Sequence, residues 1–182
     1  FGFALGDVSG KGPLAALLGA LLQGNLEAQA TIASGPAAAL RNVNAALVSR
    51  AIETRFVTLF YAVLKPDGQL TFCNAGHNPP FLVGRDGVRR LEAGGMPLGL
   101  FEDAPLEEET VTLEPGDFVV TFSDGVSEAF NDAGDEFEDA RILESIEGAP
   151  GRDAQTQLEH LFASVKTFTA GAAQTDDVTV LV

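Results

Sequence analysis

A chain of 182 residues, 46% of them hydrophobic, has the length and apolar content of one globular domain with a substantial core. Its 26 acidic residues against 11 basic ones leave a formal charge of −15, and with no Lys/Arg cluster to displace counterions, nucleic acid is excluded as a partner. A single cysteine, Cys73, rules out a disulfide framework and a cysteine-rich zinc site and predicts a reducing compartment, the cytoplasm. No apolar run approaches the roughly 20 residues of a bilayer span, so no membrane insertion is expected in this region.

The chain opens without Met on the apolar run Phe1-Gly-Phe-Ala-Leu. It is therefore expected to be a piece of a longer protein, with a sensor or regulatory domain upstream. Phe1 to Leu5 predicts a strand that ends at the glycine loop "GDVSGKG", and Pro13 stands at a favoured first helical position. Leu14, Leu17, Leu18, Leu21 and Leu22 recur at spacings of three and four, one apolar helical stripe facing a core. After Gly35-Pro36, the series Leu40, Val43, Ala46, Leu47 and Ala51 predicts a second amphipathic helix. The β-branched and aromatic run "FVTLFYAVL", the turn Lys65-Pro-Asp-Gly and the run Leu70 to Asn74 predict a hairpin. "FLV" and "VRRL" flank an Asp86-Gly87 turn, and "TVTLEPGDFVVTF" reads as strand, turn and strand. Three helices follow, near Ser127, over Asp139 to Ile146, and through Leu158, Leu161, Phe162 and Val165, before "DDVTVLV" closes the chain as a strand. Strands and helices are segregated rather than alternating, which predicts an α+β class with antiparallel sheet covered by helices.

The opening glycine loop is not a nucleotide cradle. A Walker loop needs Gly where Leu5 stands and Ser or Thr where Gly12 stands, so both the phosphate-facing turn and the Mg²⁺-binding hydroxyl are missing. What remains is an aspartate, Asp7, at a strand end before a flexible turn. Two more acidic sites share that setting: Asp124 after the run "VVTF", and Asp176 with Asp177 before the last strand. Carboxylates drawn together at strand ends repel one another unless cations neutralise them, and an oxygen-only set suits Mg²⁺ or Mn²⁺ rather than zinc.

"GDVSGKG…AALL", "NAGHNPP", "GGMPLGLF", "FSDGVSEAFN" and "TDDVTVLV", in this order over residues 1 to 182, resemble the SpoIIE/RsbU branch of the metal-dependent protein serine/threonine phosphatases. The resemblance implies an αββα sandwich of two antiparallel sheets flanked by helices. It implies that Asp7 bridges two Mn²⁺ or Mg²⁺ ions, that Val8 offers its backbone carbonyl, and that Asp124 and Asp176 complete the cluster. It implies two-metal hydrolysis by activated water without a covalent phosphoenzyme, acting on a phosphorylated anti-anti-sigma (STAS-type) protein under the control of an upstream sensor. Members carry a further acidic motif on strands preceding the glycine loop. This chain is expected to be truncated at its N-terminus with those strands missing, and to be weakly active in consequence.

Four further residues are candidates for a supporting role. Asp177 is expected on the opposite strand face from Asp176, packed or behind the ligands. Ser9 occupies the place where eukaryotic relatives carry a His, Lys11 could meet phosphate or solvent, and His77 could act as an acid or stabilise its Gly/Asn/Pro turn. Cys73 is not a tyrosine-phosphatase nucleophile, because Pro79 stands where the Arg is required, and it is expected to be buried in a strand. Met96 and "GGMPLGLF" fit a substrate-facing surface or a structural loop equally well. Two rival functions stand beside the phosphatase: a non-catalytic regulatory binding module of the same fold, and an unrelated small-molecule phosphohydrolase.

Overall fold

The structure, a computed structural model, describes residues 1–49, 55–174 and 176–182. In chain order it begins with β1 (Gly2–Val8), α1 (Pro13–Ile32), α2 (Pro36–Val48), β2 (Val57–Leu64) and β3 (Gln69–Ala75). Four short strands follow, β4 (Phe81–Gly84), β5 (Gly87–Arg90), β6 (Gly94–Gly95) and β7 (Glu109–Thr112), and then β8 (Phe118–Phe122). The helices α3 (Asp124–Ser127), α4 (Glu138–Gly148) and α5 (Ala154–Thr169) precede the last strand, β9 (Val180–Leu181). No helix of the described residues is long and apolar enough to cross a membrane.

These elements form two compact units, each an antiparallel sheet with its own helices, as the α+β reading expected. The first contains Phe1–Pro79 and Leu91–Leu113, the second Pro80–Arg90 and Glu114–Val182. In the first, the path β1-β2-β3-β6 carries β7 alongside β3, and only the short β3/β6 pairing is parallel. The predicted hairpin is present: β2 and β3 pair from Leu59↔Ala75 to Leu64↔Leu70 around a turn closed by Gly68 at φ 84°. Side chains of alternate parity separate the faces of this sheet. Leu59, Tyr61, Cys73 and Ala75 pack with Leu18 and Leu22 of α1 and with Leu40, Val43 and Leu47 of α2. Phe60 and Phe72 stack on the other face with ring centroids 5.7 Å apart. In the second unit the order is β5-β4-β8-β9, and Phe81, Val83, Val120 and Phe122 meet Val126, Ile142, Ile146, Leu161 and Val165 of the three helices. Burying each large side chain of this kind contributes about 1.5–3 kcal/mol before ordering costs.

Several boundaries differ from the sequence reading. The first strand runs past Leu5 to Val8, because its ladder with β2 continues through Asp7↔Thr58 to Val8↔Val57. Asp7 therefore stands within the strand rather than in the loop. The five-leucine stripe of α1 is wider than its contact with the rest of the unit, so Leu18 and Leu22 are buried while Leu14 and Leu17 are 53% and 57% exposed. The second helix ends at Val48, and Ala51 lies outside the described residues. "TVTLEPGDFVVTF" does make two strands, but they join different sheets: β7 pairs with β3, β8 with β4 and β9. The closing strand is only two residues long, because a side chain takes over the ladder beyond Phe122.

Candidate metal centre

That side chain is Ser123. Its amide donates to the Thr179 carbonyl at 3.0 Å, and its hydroxyl accepts from the Thr179 amide at 3.0 Å and donates to the Asp177 carbonyl at 2.9 Å. β8 is thereby stitched to the segment before β9 without a regular ladder. Gly125 completes the contact, since a Cβ there would run into the carbonyl group of Asp177 and the backbone of Asp176. A serine and a glycine on either side of Asp124 thus hold it beside the closing aspartates. Each carboxylate is oriented by the next residue: Gly125 N–H donates to Asp124 Oδ1 at 2.8 Å, and Asp177 N–H to Asp176 Oδ1 at 2.8 Å. One oxygen of each is anchored, leaving the other for a ligand. Asp176 and Asp177 precede β9 in a bend, so opposite strand faces do not separate them. Asp177 contributes through its backbone, as the partner of Ser123.

A third acidic residue, Glu128, belongs to this neighbourhood. Its carboxyl is held above the usual range, first by burial and then by the negative charges of Asp124, Glu136 and Asp176. The cluster is short of positive charge, and its oxygen-only donors are of the kind that suits Mn²⁺ or Mg²⁺. Within neither unit do three His, Cys, Asp or Glu residues come together as a metal site among the described residues. The pair Asp124 and Asp176 is therefore a partial donor set, which fits a cation when further oxygens are added.

In the first unit, Asp7 is paired in register with Thr58, and directly opposed residues of an antiparallel pair share a sheet face. The Thr58 hydroxyl lies 3.2 Å from Nδ1 of His77. His77 is 5% exposed, and its backbone is clamped by Asn74, whose Oδ1 accepts from the His77 amide at 2.7 Å and whose Nδ2 donates to the His77 carbonyl at 2.9 Å. The "AGHNPP" turn is thus fixed by Asn74, while the His77 ring is carried to the neighbour of Asp7. Val8 ends β1 with its side chain packed against the core. Ser9 extends the ladder by one step: its amide donates to Phe56 O at 2.9 Å and its hydroxyl accepts from Phe56 N at 2.8 Å. Its hydroxyl is thereby engaged with backbone. Gly10, at φ 85°, makes room for the guanidinium of Arg55, which donates to the Ser9 carbonyl at 2.7 Å. Lys11 is exposed in the same loop.

Cys73 is wholly buried in β3, and burial, reinforced by Glu108 and opposed by Arg41, pushes its thiol up to about 12. It is packing, not a nucleophile. In "GGMPLGLF", Leu98 is buried and exchanges backbone bonds with Val57 at 2.8 and 2.9 Å, while Met96, Leu100 and Phe101 are exposed. Asn44 ties that loop to α2, accepting from Gly99 N at 2.8 Å and donating to Phe101 O at 2.8 Å. Sequence reasoning missed Ser123, Thr58, Arg55 and Glu128. Ser123 and Glu128 stood in view within "FSDGVSEAFN", but nothing in a lone Ser or Glu marks it off from a solvated one.

Solved structures similar to this chain include phosphatase domains of the PP2C type, which share its α+β fold. The SiaA-PP2C domain of Pseudomonas aeruginosa is 22% identical with a TM-score of 0.84, covering 98% of this chain and 73% of that one. The PP2C phosphatase domain of SpoIIE from Bacillus subtilis, solved with a fragment of its regulatory domain, is 24% identical with a TM-score of 0.83, covering 98% and 51%. The chain belongs to the SpoIIE family, whose pattern, that of Stage II sporulation protein E, matches residues 1–182. It is similar to phosphoserine phosphatase RsbU of Bacillus subtilis (strain 168), 31% identical over 165 residues, 89% of this chain. The chain spans 49% of that relative's length.

Proposed function

We propose that this chain is the catalytic domain of a Mn²⁺- or Mg²⁺-dependent phosphatase acting on phosphoserine or phosphothreonine in a protein. The observation that carries this is the arrangement around Ser123 and Gly125, which brings Asp124 and Asp176 together, each with one oxygen anchored and one left over. On this reading Asp7, the Val8 carbonyl, Asp124 and Asp176 hold two ions. When bound, such a pair supplies an activated water and offsets phosphoryl charge. The protein's part is to fix the donors: Ser123 and Gly125 set Asp124 against Asp176, the β1/β2 ladder sets Asp7, and Arg55 braces the glycine loop. Thr58 and His77 stand beside Asp7 as positioning residues.

The substrate proposed is a phosphorylated anti-anti-sigma (STAS-type) protein, with a sensor or regulatory domain in control and a cytoplasmic setting. Resemblance to the RsbU branch supports this, and −15 of net charge disfavours nucleic acid. A second reading, a non-catalytic binding module of the same fold, stands beside the phosphatase, because among the described residues neither unit by itself gathers three His, Cys, Asp or Glu residues as a metal site. Release of phosphate from a phosphoserine protein, a phosphoserine peptide and a sugar phosphate, measured against Mn²⁺ concentration, separates the possibilities. Mn²⁺-dependent turnover of the first two is expected. Turnover of the sugar phosphate alone would place the chain among small-molecule phosphohydrolases, and no turnover of any would leave the binding module.

A further inference from the structure

The second unit carries a cleft of about 380 Å³ that begins at Asp176 and extends beyond the proposed metal ligands. It lies at the lower end of the range for built ligand sites, roughly 300–1,000 Å³, large enough for one or two side chains. Gly125 and Asp176 are among the residues that line it, together with Phe130, Phe162 and Lys166. Gln174 fixes the rim, its Nε2 donating to the Asp176 carbonyl at 2.7 Å. Phe130 and Phe162 are each 39% exposed, and these two half-bare aromatic rings lining one concavity are not among the residues of the unit's core cluster. Lys166, one of only three lysines in the chain, is the one basic residue among the described residues lining it, and it is exposed in the last turn of α5. A cation there complements the helix dipole, but that role explains neither the rings nor the cleft.

We infer that this cleft docks the segment flanking the phosphorylated serine of the substrate protein, and that it selects a segment carrying one apolar and one acidic side chain. The inference rests on the phosphatase reading, which puts the phosphoryl group at Asp176. From there the neighbouring residues of an extended substrate reach the cleft, where the rings of Phe130 and Phe162 cover an apolar side chain and Lys166 pairs with a carboxylate. A chain as acidic as this one repels an acidic substrate over most of its surface, so a lone lysine on the wall next to the centre is what permits an acidic flank and sets its register.

The test uses two phosphoserine peptides, one with Leu and Glu on both sides of the phosphoserine and one with Gly and Lys there. Turnover of each with Mn²⁺ is measured and normalised to turnover of p-nitrophenyl phosphate by the same variant, and binding of each is followed by fluorescence anisotropy without metal. The wild-type chain is expected to prefer the Leu/Glu peptide by about tenfold, the product of an exposed ion pair and a covered apolar side chain. Lys166→Glu should erase or invert the preference, Lys166→Arg should keep it, and Phe162→Ala should reduce it severalfold. A preference unchanged in Lys166→Glu, or equal use of both peptides by the wild type, overturns the docking inference while leaving the phosphatase reading in place. Failure to turn over either peptide or p-nitrophenyl phosphate overturns the phosphatase reading instead, and anisotropy then decides the docking by the same comparison.

Discussion

Ser123 is bound to Asp177 backbone rather than to any ligand: its hydroxyl donates to the Asp177 carbonyl at 2.9 Å while accepting from the Thr179 amide at 3.0 Å. The consequence falls on their neighbours, because Asp124 follows the one and Asp176 precedes the other. Ser123→Ala removes one bond of each kind at a residue 9% exposed and strands a carbonyl and an amide. A loss of about 1–3 kcal/mol is expected in urea unfolding, together with weaker Mn²⁺ binding. Unchanged Mn²⁺ affinity in a folded Ser123→Ala chain would separate the stitch from the metal site.

Gly125→Ala should be harsher on binding than on stability. The added methyl group meets the Asp177 carbonyl, so the closing segment must move away from Asp124. The second unit's core, built on Ile142, Leu161 and their neighbours, includes Val126, the next residue in the chain, so some stability is lost as well. A stability loss of about 1–3 kcal/mol is expected, with Mn²⁺ binding lost altogether in calorimetry. Retained binding would mean that the spacing of Asp124 and Asp176 is not critical.

Glu128 gives a pH-dependent prediction. Its folded-state carboxyl is raised, so its proton is favoured in the folded state and its contribution to stability is present at low pH and lost as pH rises through the raised value. Glu128→Gln should therefore raise the unfolding midpoint of the metal-free chain at pH 7, and the gain should vanish near pH 4. Thermal melts at the two pH values check this, and a gain that is the same at both would assign the effect to something other than charge.

Cys73 should be silent. With its thiol pushed up to about 12 and no exposed surface, it forms almost no thiolate at pH 8 and should not react with a thiol-specific disulfide reagent until denaturant is added. By linkage, the stability it contributes is complete below the unfolded value of 9.0 and declines as pH climbs from there to about 12. Rapid labelling of the native chain would show that β3 opens.

The fold class and most elements were legible in the sequence because local composition and turn chemistry agree: "FVTLFYAVL" is a β-branched and aromatic run, Lys65-Pro-Asp-Gly turns, and α5 carries its apolar residues three and four apart. What was not legible depends on partners distant in sequence. Nothing in "TVTLEPGDFVVTF" says that its two strands leave for different sheets. Leu14 and Leu17 match Leu18 in type but not in burial, since burial follows from what packs against the helix. For the site, Asp124 and Asp176 could be picked out as strand-end carboxylates, but the link between them runs through a serine hydroxyl 54 positions from the carbonyl it meets. Thr58 was invisible for the same reason, its importance arising only from its register with Asp7 and its contact with His77.

Thr58→Val keeps the strand's shape and removes the hydroxyl next to His77. A loss of about 0.5–1.5 kcal/mol is expected, and Mn²⁺-dependent turnover of a phosphoserine peptide should fall while Thr58→Ser stays close to wild type. Equal turnover in Thr58→Val would reduce the Thr58 to His77 contact to turn support.

The most direct measurement of the proposed metal centre is Mn²⁺ binding, by calorimetry and by the manganese resonance signal, to the wild-type chain and to Asp7→Asn, Asp124→Asn and Asp176→Asn. Each substitution keeps the side chain's size and removes its charge. The expected result is that the wild type binds Mn²⁺ and that each variant, still folded, binds at least about tenfold more weakly. Asp124→Asn binding Mn²⁺ as tightly as the wild type would contradict it.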